Sequence, residues 1–334
     1  MRRCQAHVHG VDASAVTVLD EICGDLACAG APRARNPVCV CAAGQVADII
    51  GRVSRGRVSG RLAIGIAWVG ALFLVGVIGP SLTADPIARD IERGLTAYGA
   101  PLAPSSDFIL GSDQLGRDVC ARIVAGATTS LWIAAASTAL ALALGLAIGL
   151  CAGYAGGRVD GALMRLVDLV LSFPVLLLAI LLAALLRESR FAGSGVGIVA
   201  VLAAVGWTTM ARVLRDKARV LARSEMVMAA RAAGASPARI VTHHLLPNVL
   251  GVTSVLVALG FAQNLLAEST LSYLGLGLPP PAPTWGLMLS EGRSYYRTAP
   301  HLVLAPGLAI FVAIAAFHVL AAGLRARFDP KAAR

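Results

Sequence analysis

The side chains able to do chemistry are few and widely spaced. Gln263, Asn264 and Glu268 fall within or at the end of one apolar stretch, Arg165 and Asp168 stand three apart near the end of another, and His318 lies inside a third. A lone charge at a bilayer centre costs ~2.5–3.5 kcal/mol, so each such group needs a partner or a use. For Gln263, Asn264 and Glu268 two uses are open: hydrogen bonds between helices, or the lining of a polar pathway. Arg165 and Asp168 share a helix face and read as an interfacial ion pair, while His318 and the Trp207-Thr208-Thr209 run read as packing. His7, His9 and the Cys39-x-Cys41 pair match no standard zinc spacing, and no metal site is expected. A GxxxxGK[ST] phosphate loop, an HExxH zinc helix and a GxSxG nucleophile elbow are all missing, and the only lysines are Lys217 and Lys331. No motif here hydrolyses ATP or marks an enzyme.

A polar stretch between two apolar ones has the clearest local grammar. Residues 224–248 read SEMVMAARAAGASPARIVTHHLLPN. Ser224 is a good N-cap for a short helix whose first turn holds Glu225, where negative charge suits the helix dipole. Ala229 and Ala230 favour helix, and Gly234 suits the exit from it. Ser236 and Pro237 read as N-cap and first position of a second helix, and Pro247 stands where another helix can begin. The result is an elbow faced by small side chains, which lets another surface approach closely.

The elements that must carry this elbow span a membrane. Hydrophobic residues make up 57% and charged residues 14% of the 334, and the mean hydropathy is +0.74, which excludes a soluble globular chain. Six stretches are long enough to cross ~30 Å of hydrocarbon, roughly 62–80, 127–151, 166–186, 194–211, 249–267 and 302–323. Pro174 and Pro306 are expected to kink their helices. Residues 1–50 match nothing that follows and read as an N-terminal extension, disordered or upstream of the functional start; the transmembrane domain occupies 51–334. With both termini inside, Lys and Arg beyond residue 50 divide 17 inside to 8 outside. That places the 212–247 loop in the cytoplasm and makes the net charge of +10 topological, with no nucleic-acid partner.

Ala229-Ala230, Gly234 and Leu246-Pro247 at this spacing resemble the cytoplasmic "EAA" loop of permeases in binding-protein-dependent ABC importers. The family's Glu falls on Met228 here, with Glu225 one turn earlier. Three further runs resemble the C-type subunits of dipeptide, oligopeptide and nickel systems: LGSDQLGRD at 110–118, ESTLSYLGLG with PTWGLMLSEGR across 268–293, and GLRARFDP near the end. The resemblance implies an all-α membrane protein with the type I importer permease fold, about six transmembrane helices and a coupling loop. In that loop Glu225, Met228, Ala229, Ala230, Gly234, Ser236, Pro237, Leu246 and Pro247 would meet an ATPase.

It also implies a second permease subunit, two cytoplasmic ATPase subunits that bind ATP and magnesium, and an extracytoplasmic substrate-binding protein, all at the inner membrane. This chain itself would hold no cofactor. Dipeptides or oligopeptides are the implied cargo, with a nickel chelate or a glutathione-like solute as the alternative. A stand-alone secondary transporter would need a midplane acid and an internal repeat, and the sequence offers neither.

Overall fold

The computed structural model describes residues 37–187 and 193–328, with side chains from residue 60 onward. The chain divides into two compact units, Met1–Ile50 and Gly51–Arg334, and everything below concerns the second. His7, His9, Cys39 and Cys41 fall outside the described side chains. The helices are α1 (Pro37–Leu82), α2 (Ile91–Gly94), α3 (Val119–Ala155), α4 (Gly157–Leu171), α5 (Val175–Leu186), α6 (Gly195–Leu221), α7 (Glu225–Ala232), α8 (Pro237–Ile240), α9 (Leu246–Tyr273), α10 (Trp285–Gly292) and α11 (His301–Phe328). Among the described residues, five helical runs are long and apolar enough to cross a membrane, or six if α4 and α5 count as one bent span.

Glycine spacing sets how closely the helices pack. Gly145, Gly149 and Gly153 recur every four residues along one face of α3, opposite Met210, Leu214 and Ala218 of α6. A Cβ at Gly149 would stand 2.7 Å from the Ala211 carbonyl oxygen, and one at Gly153 would stand 2.6 Å from Ala218 Cβ. In lipid, where apolar helices gain little from mutual burial, such small-residue seams let backbones touch and supply the dispersion contact that holds helices together. A similar reciprocal contact joins α1 to α11: a Cβ at Gly65 would lie 2.7 Å from Leu320 Cα, and one at Gly323 would lie 2.7 Å from Leu62 Cα. Between these pairs, Phe261 of α9 stacks on Phe317 of α11 at 3.8 Å between ring centroids.

Two prolines mark helix ends in this chain. The stretch 166–186 is helical on both sides of a sharp break, where α4 and α5 meet at 85°. Pro174 lacks an N–H to continue the ladder and biases Phe173 away from helical geometry, so the chain turns at Ser172-Phe173-Pro174. Pro247 stands in the first turn of α9, as expected, but that helix does not start from a loop. The backbone runs from Pro237 to Tyr273 as one 37-residue helical run, with a wide π-helical turn at Val241–Leu245 just before Pro247. The Leu246 N–H reaches back five residues to the Val241 carbonyl. Buried positions follow that geometry, because Ile240 and Leu245 are five apart whereas Leu245, Val249 and Thr253 are spaced by four. Pro306 lies within α11, which continues through it.

Candidate functional site

The elbow owes its shape to caps. α7 ends in a Schellman motif: the Gly234 N–H donates to the Arg231 carbonyl and the Ala235 N–H to the Ala230 carbonyl, both at 3.0 Å. Gly234 has φ +79° and needs the freedom only glycine has there. Ser236 then caps α8, its Oγ accepting from the Arg239 N–H at 3.4 Å, with Pro237 at the first helical position. Ser224 occupies the N-cap position of α7, but its Oγ donates to the Leu221 carbonyl at 2.7 Å and does not cap the helix.

Burial separates the two faces of the elbow. Val227, Ile240 and Leu245 are fully buried in a core shared with α3, α4 and α6. Glu225, Met228, Ala229, Gly234, Ser236, Pro237 and Pro247 are exposed, with Ala230 and Leu246 partly so. The surface is small-sided and carries Arg231 and Arg239 beside Glu225. One contact of a charged side chain fastens it to the bundle, and another braces the helices beside it. Arg231 lies over the ring of Tyr154, at the end of α3. Arg215 of α6 grips Asp160 of α4, with Nε to Oδ1 at 2.8 Å and a second bond from Nη2 to Oδ2. Asp168 pairs with Arg212 of α6, where Arg165 was expected.

The three polar residues of α9 do not act together. Asn264 and Glu268 are one turn apart on a buried face, and Asn264 Nδ2 donates to Thr138 Oγ1 of α3 at 2.9 Å. Glu268 is surrounded by hydroxyl groups inside the bundle. Both side chains are thus engaged inside the subunit, one of them in a hydrogen bond between helices. Helical pitch turns Gln263 away from Asn264, and of the three only Gln263 is exposed. His318, expected to be packed, is also exposed.

On the opposite side of the bundle from the elbow lies a cluster the sequence showed only in half. Asp113 Oδ1 accepts from the backbone N–H groups of Leu115 (2.8 Å) and Arg117 (3.0 Å), and Gly116 turns the chain at φ +73°. Arg117 Nε bonds Asp113 Oδ2 at 2.6 Å, and Arg122 bonds the same oxygen. Glu291, on α10, completes the set, 3.3 Å from Arg117 and 2.8 Å from Arg122. Asp113, Arg117 and Arg122 are almost wholly buried, and buried charges persist only when paired in this way. Trp285 belongs to the PTWGLMLSEGR run. It is buried at the start of α10, where Nε1 donates to the Ile123 carbonyl at 3.0 Å.

A bundle of apolar helices long enough to cross a membrane, joined by a capped, exposed elbow, defines a multi-pass membrane protein. Residues 145–334 match the family described as binding-protein-dependent transport system inner membrane component, and the chain belongs to that family. Its fold is the all-α permease fold of ABC importers. It is 35% identical over 268 residues to the dipeptide transport system permease protein DppC of Alkalihalophilus pseudofirmus, covering 80% of this chain and 85% of the relative. It is 34% identical over 266 residues to the oligopeptide transport system permease protein OppC of Bacillus subtilis, covering 80% and 86%. The glutathione transport system permease protein GsiD of Shigella flexneri is 37% identical over 268 residues, covering 80% and 86%.

Proposed function

We propose that this chain forms half of the translocation pathway of a peptide importer and receives its driving force at the elbow. The observation that carries the reading is the elbow itself: an exposed, small-sided surface capped at Gly234 and Ser236, anchored by Val227, Ile240 and Leu245, and continuous with the membrane-crossing α9. A cytoplasmic ATPase docks on Glu225, Met228, Ala229, Ala230, Gly234, Ser236 and Pro237. Movement of that ATPase displaces the elbow as a unit, and the displacement enters α9 through Leu246 and Pro247. ATP and magnesium are held by two ATPase chains, so this subunit is not itself catalytic.

A second permease completes the pathway, and an extracytoplasmic binding protein delivers cargo to it. Both termini lie in the cytoplasm, in keeping with the excess of Lys and Arg on the elbow side. The named cargoes of the three relatives are dipeptide, oligopeptide and glutathione. All are peptides, which supports a short peptide as cargo here.

Gly234→Val tests the elbow. The substitution forces a β-branched residue into the left-handed region, and binding-protein-stimulated ATP hydrolysis by the assembled complex should be lost while the chain still inserts. Unchanged stimulation would rule the docking role out.

A further inference from the structure

Gln263 of α9 and His318 of α11 are polar, exposed, and set in membrane-crossing helices. Neither side chain hydrogen-bonds to another described residue. At 1.5 Å of rise per residue, each stands about 5 Å from the midpoint of its own helix, well inside a hydrocarbon layer about 30 Å thick. A polar group open to lipid at that depth is costly, so each calls for a partner supplied from outside the chain.

The two groups lie at one depth. A Cβ at Gly251 would meet Phe328, and Phe261 stacks on Phe317, so α9 and α11 run antiparallel with a fixed register. Counting on from these pairs sets Gln263 level with residues 315–316 of α11, less than one turn from His318. They also share a side. A groove of about 290 Å³ at the elbow end of α9 is lined by Val252, Leu256 and Leu259 of α9, Val213 of α6, and Arg325 and Phe328 of α11. Gln263 follows Leu256 by seven residues and Leu259 by four, and His318 precedes Arg325 by seven. Helical pitch therefore sets both on the continuation of the groove.

The chemistry of this face fits one occupant. Hydrocarbon offers no hydrogen bond to either group. A carboxamide and a neutral imidazole each both donate and accept, which is what the N–H and C=O of a peptide bond require. No acidic side chain lines the groove, and Arg325 at its mouth suits the carboxylate that ends a peptide.

We infer that Gln263 and His318 touch the peptide in transit, as this subunit's mid-membrane contact with cargo, and that the peptide leaves along the groove past Arg325. The inference rests on the importer reading above.

The test traps cargo on the assembled complex in proteoliposomes, with the seven native cysteines of this chain replaced by serine. The probe is the tripeptide Ala-Cys-Ala, its thiol activated as a 2-pyridyl disulfide and delivered by the binding protein. An engineered thiol within reach displaces pyridine-2-thione and keeps the peptide as a mixed disulfide, which mass spectrometry counts. Gln263→Cys and His318→Cys should each trap at least about tenfold more peptide than Leu74→Cys, on the exposed apolar part of α1, and only with binding protein and ATP present. Both positions are exposed, so cysteine disturbs no packing there.

Trapping no greater than at Leu74→Cys, in a complex whose parent takes up the peptide, overturns the inference and leaves the importer reading standing; lipid or a partner helix then covers the face. Absence of ATP-driven uptake by the parent complex overturns the importer reading, and the cargo contact with it. A second readout separates hydrogen bonding from filling space. Gln263→Leu, close in size, should lower peptide uptake per ATP hydrolysed about fivefold, and Gln263→Asn, which keeps the carboxamide, should stay within about twofold of the parent. Parent-like uptake in Gln263→Leu overturns the bond to cargo.

Discussion

The guanidinium of Arg231 lies 4.9 Å from the ring centroid of Tyr154, joining the elbow to the end of α3. Because α3 is sealed to α6 by the glycine seam, a push on the elbow meets the α3–α6 pair as well as α9.

The contact gives a first prediction. A cation over an exposed aromatic ring contributes ~0.5–1 kcal/mol. Tyr154→Leu should therefore lower binding-protein-stimulated ATPase activity about two- to fivefold, and Tyr154→Phe should keep it near the parent value. Steady-state ATPase assays of the reconstituted complex decide the matter.

The seam between α3 and α6 gives a second. A side chain at Gly149 would collide with backbone at Ala211, which cannot rotate away. Gly149→Leu should destabilise the subunit by ~1–3 kcal/mol or more, seen as a lower midpoint in thermal unfolding of the detergent-solubilised protein. Gly156, where a Cβ would meet nothing within 4 Å, is a poorer control because its φ is +63°. Gly161→Ala, in open space with ordinary φ, should leave the midpoint unchanged.

The buried charge cluster gives a third. Asp113→Asn leaves two guanidinium groups facing Glu291 alone, and removing one partner from buried ion pairs costs ~3–5 kcal/mol. The expected outcome is loss of folded protein on size-exclusion chromatography. Restoring neutrality with Asp113→Asn and Arg117→Gln together should recover part of the yield, and no recovery would show that charge balance is not what the site needs.

Orientation gives a fourth. Ala232→Cys, on the exposed face of α7, should react in sealed cells only with a maleimide able to enter the cytoplasm. Reaction with an impermeant reagent would reverse the topology.

What the sequence made legible was local. Gly234, Ser236 and Pro237 announced a helix end and a helix start because caps are decided by one or two residues. Asp113 and Arg117 are four apart within one short run and pair across a tight polar turn. What escaped was set by distant contacts. Glu291 joins Arg117 across 174 residues, and Asp168 chooses Arg212 from another helix over its own neighbour Arg165. Hydropathy gave the apolar content of 166–186 but not its direction, since an 85° turn costs no apolar residue. Hydropathy placed Gln263 and Asn264 within the fifth apolar stretch and Glu268 at its end, yet only packing decides which of them points inward.

The wide turn at Val241–Leu245 carries an evolutionary consequence. A π-type turn absorbs one surplus residue while leaving the stripes before and after it in phase. Loss of a single residue between 241 and 245 can be healed by reversion to ordinary pitch, with Ile240 and Val249 still facing the same core. Loss of one residue farther along α9 has no such remedy: everything beyond it rotates by about 100°, and Glu268 swings out from among its serines toward hydrocarbon. Length variation in this arm is therefore tolerable at one place only, next to Pro247.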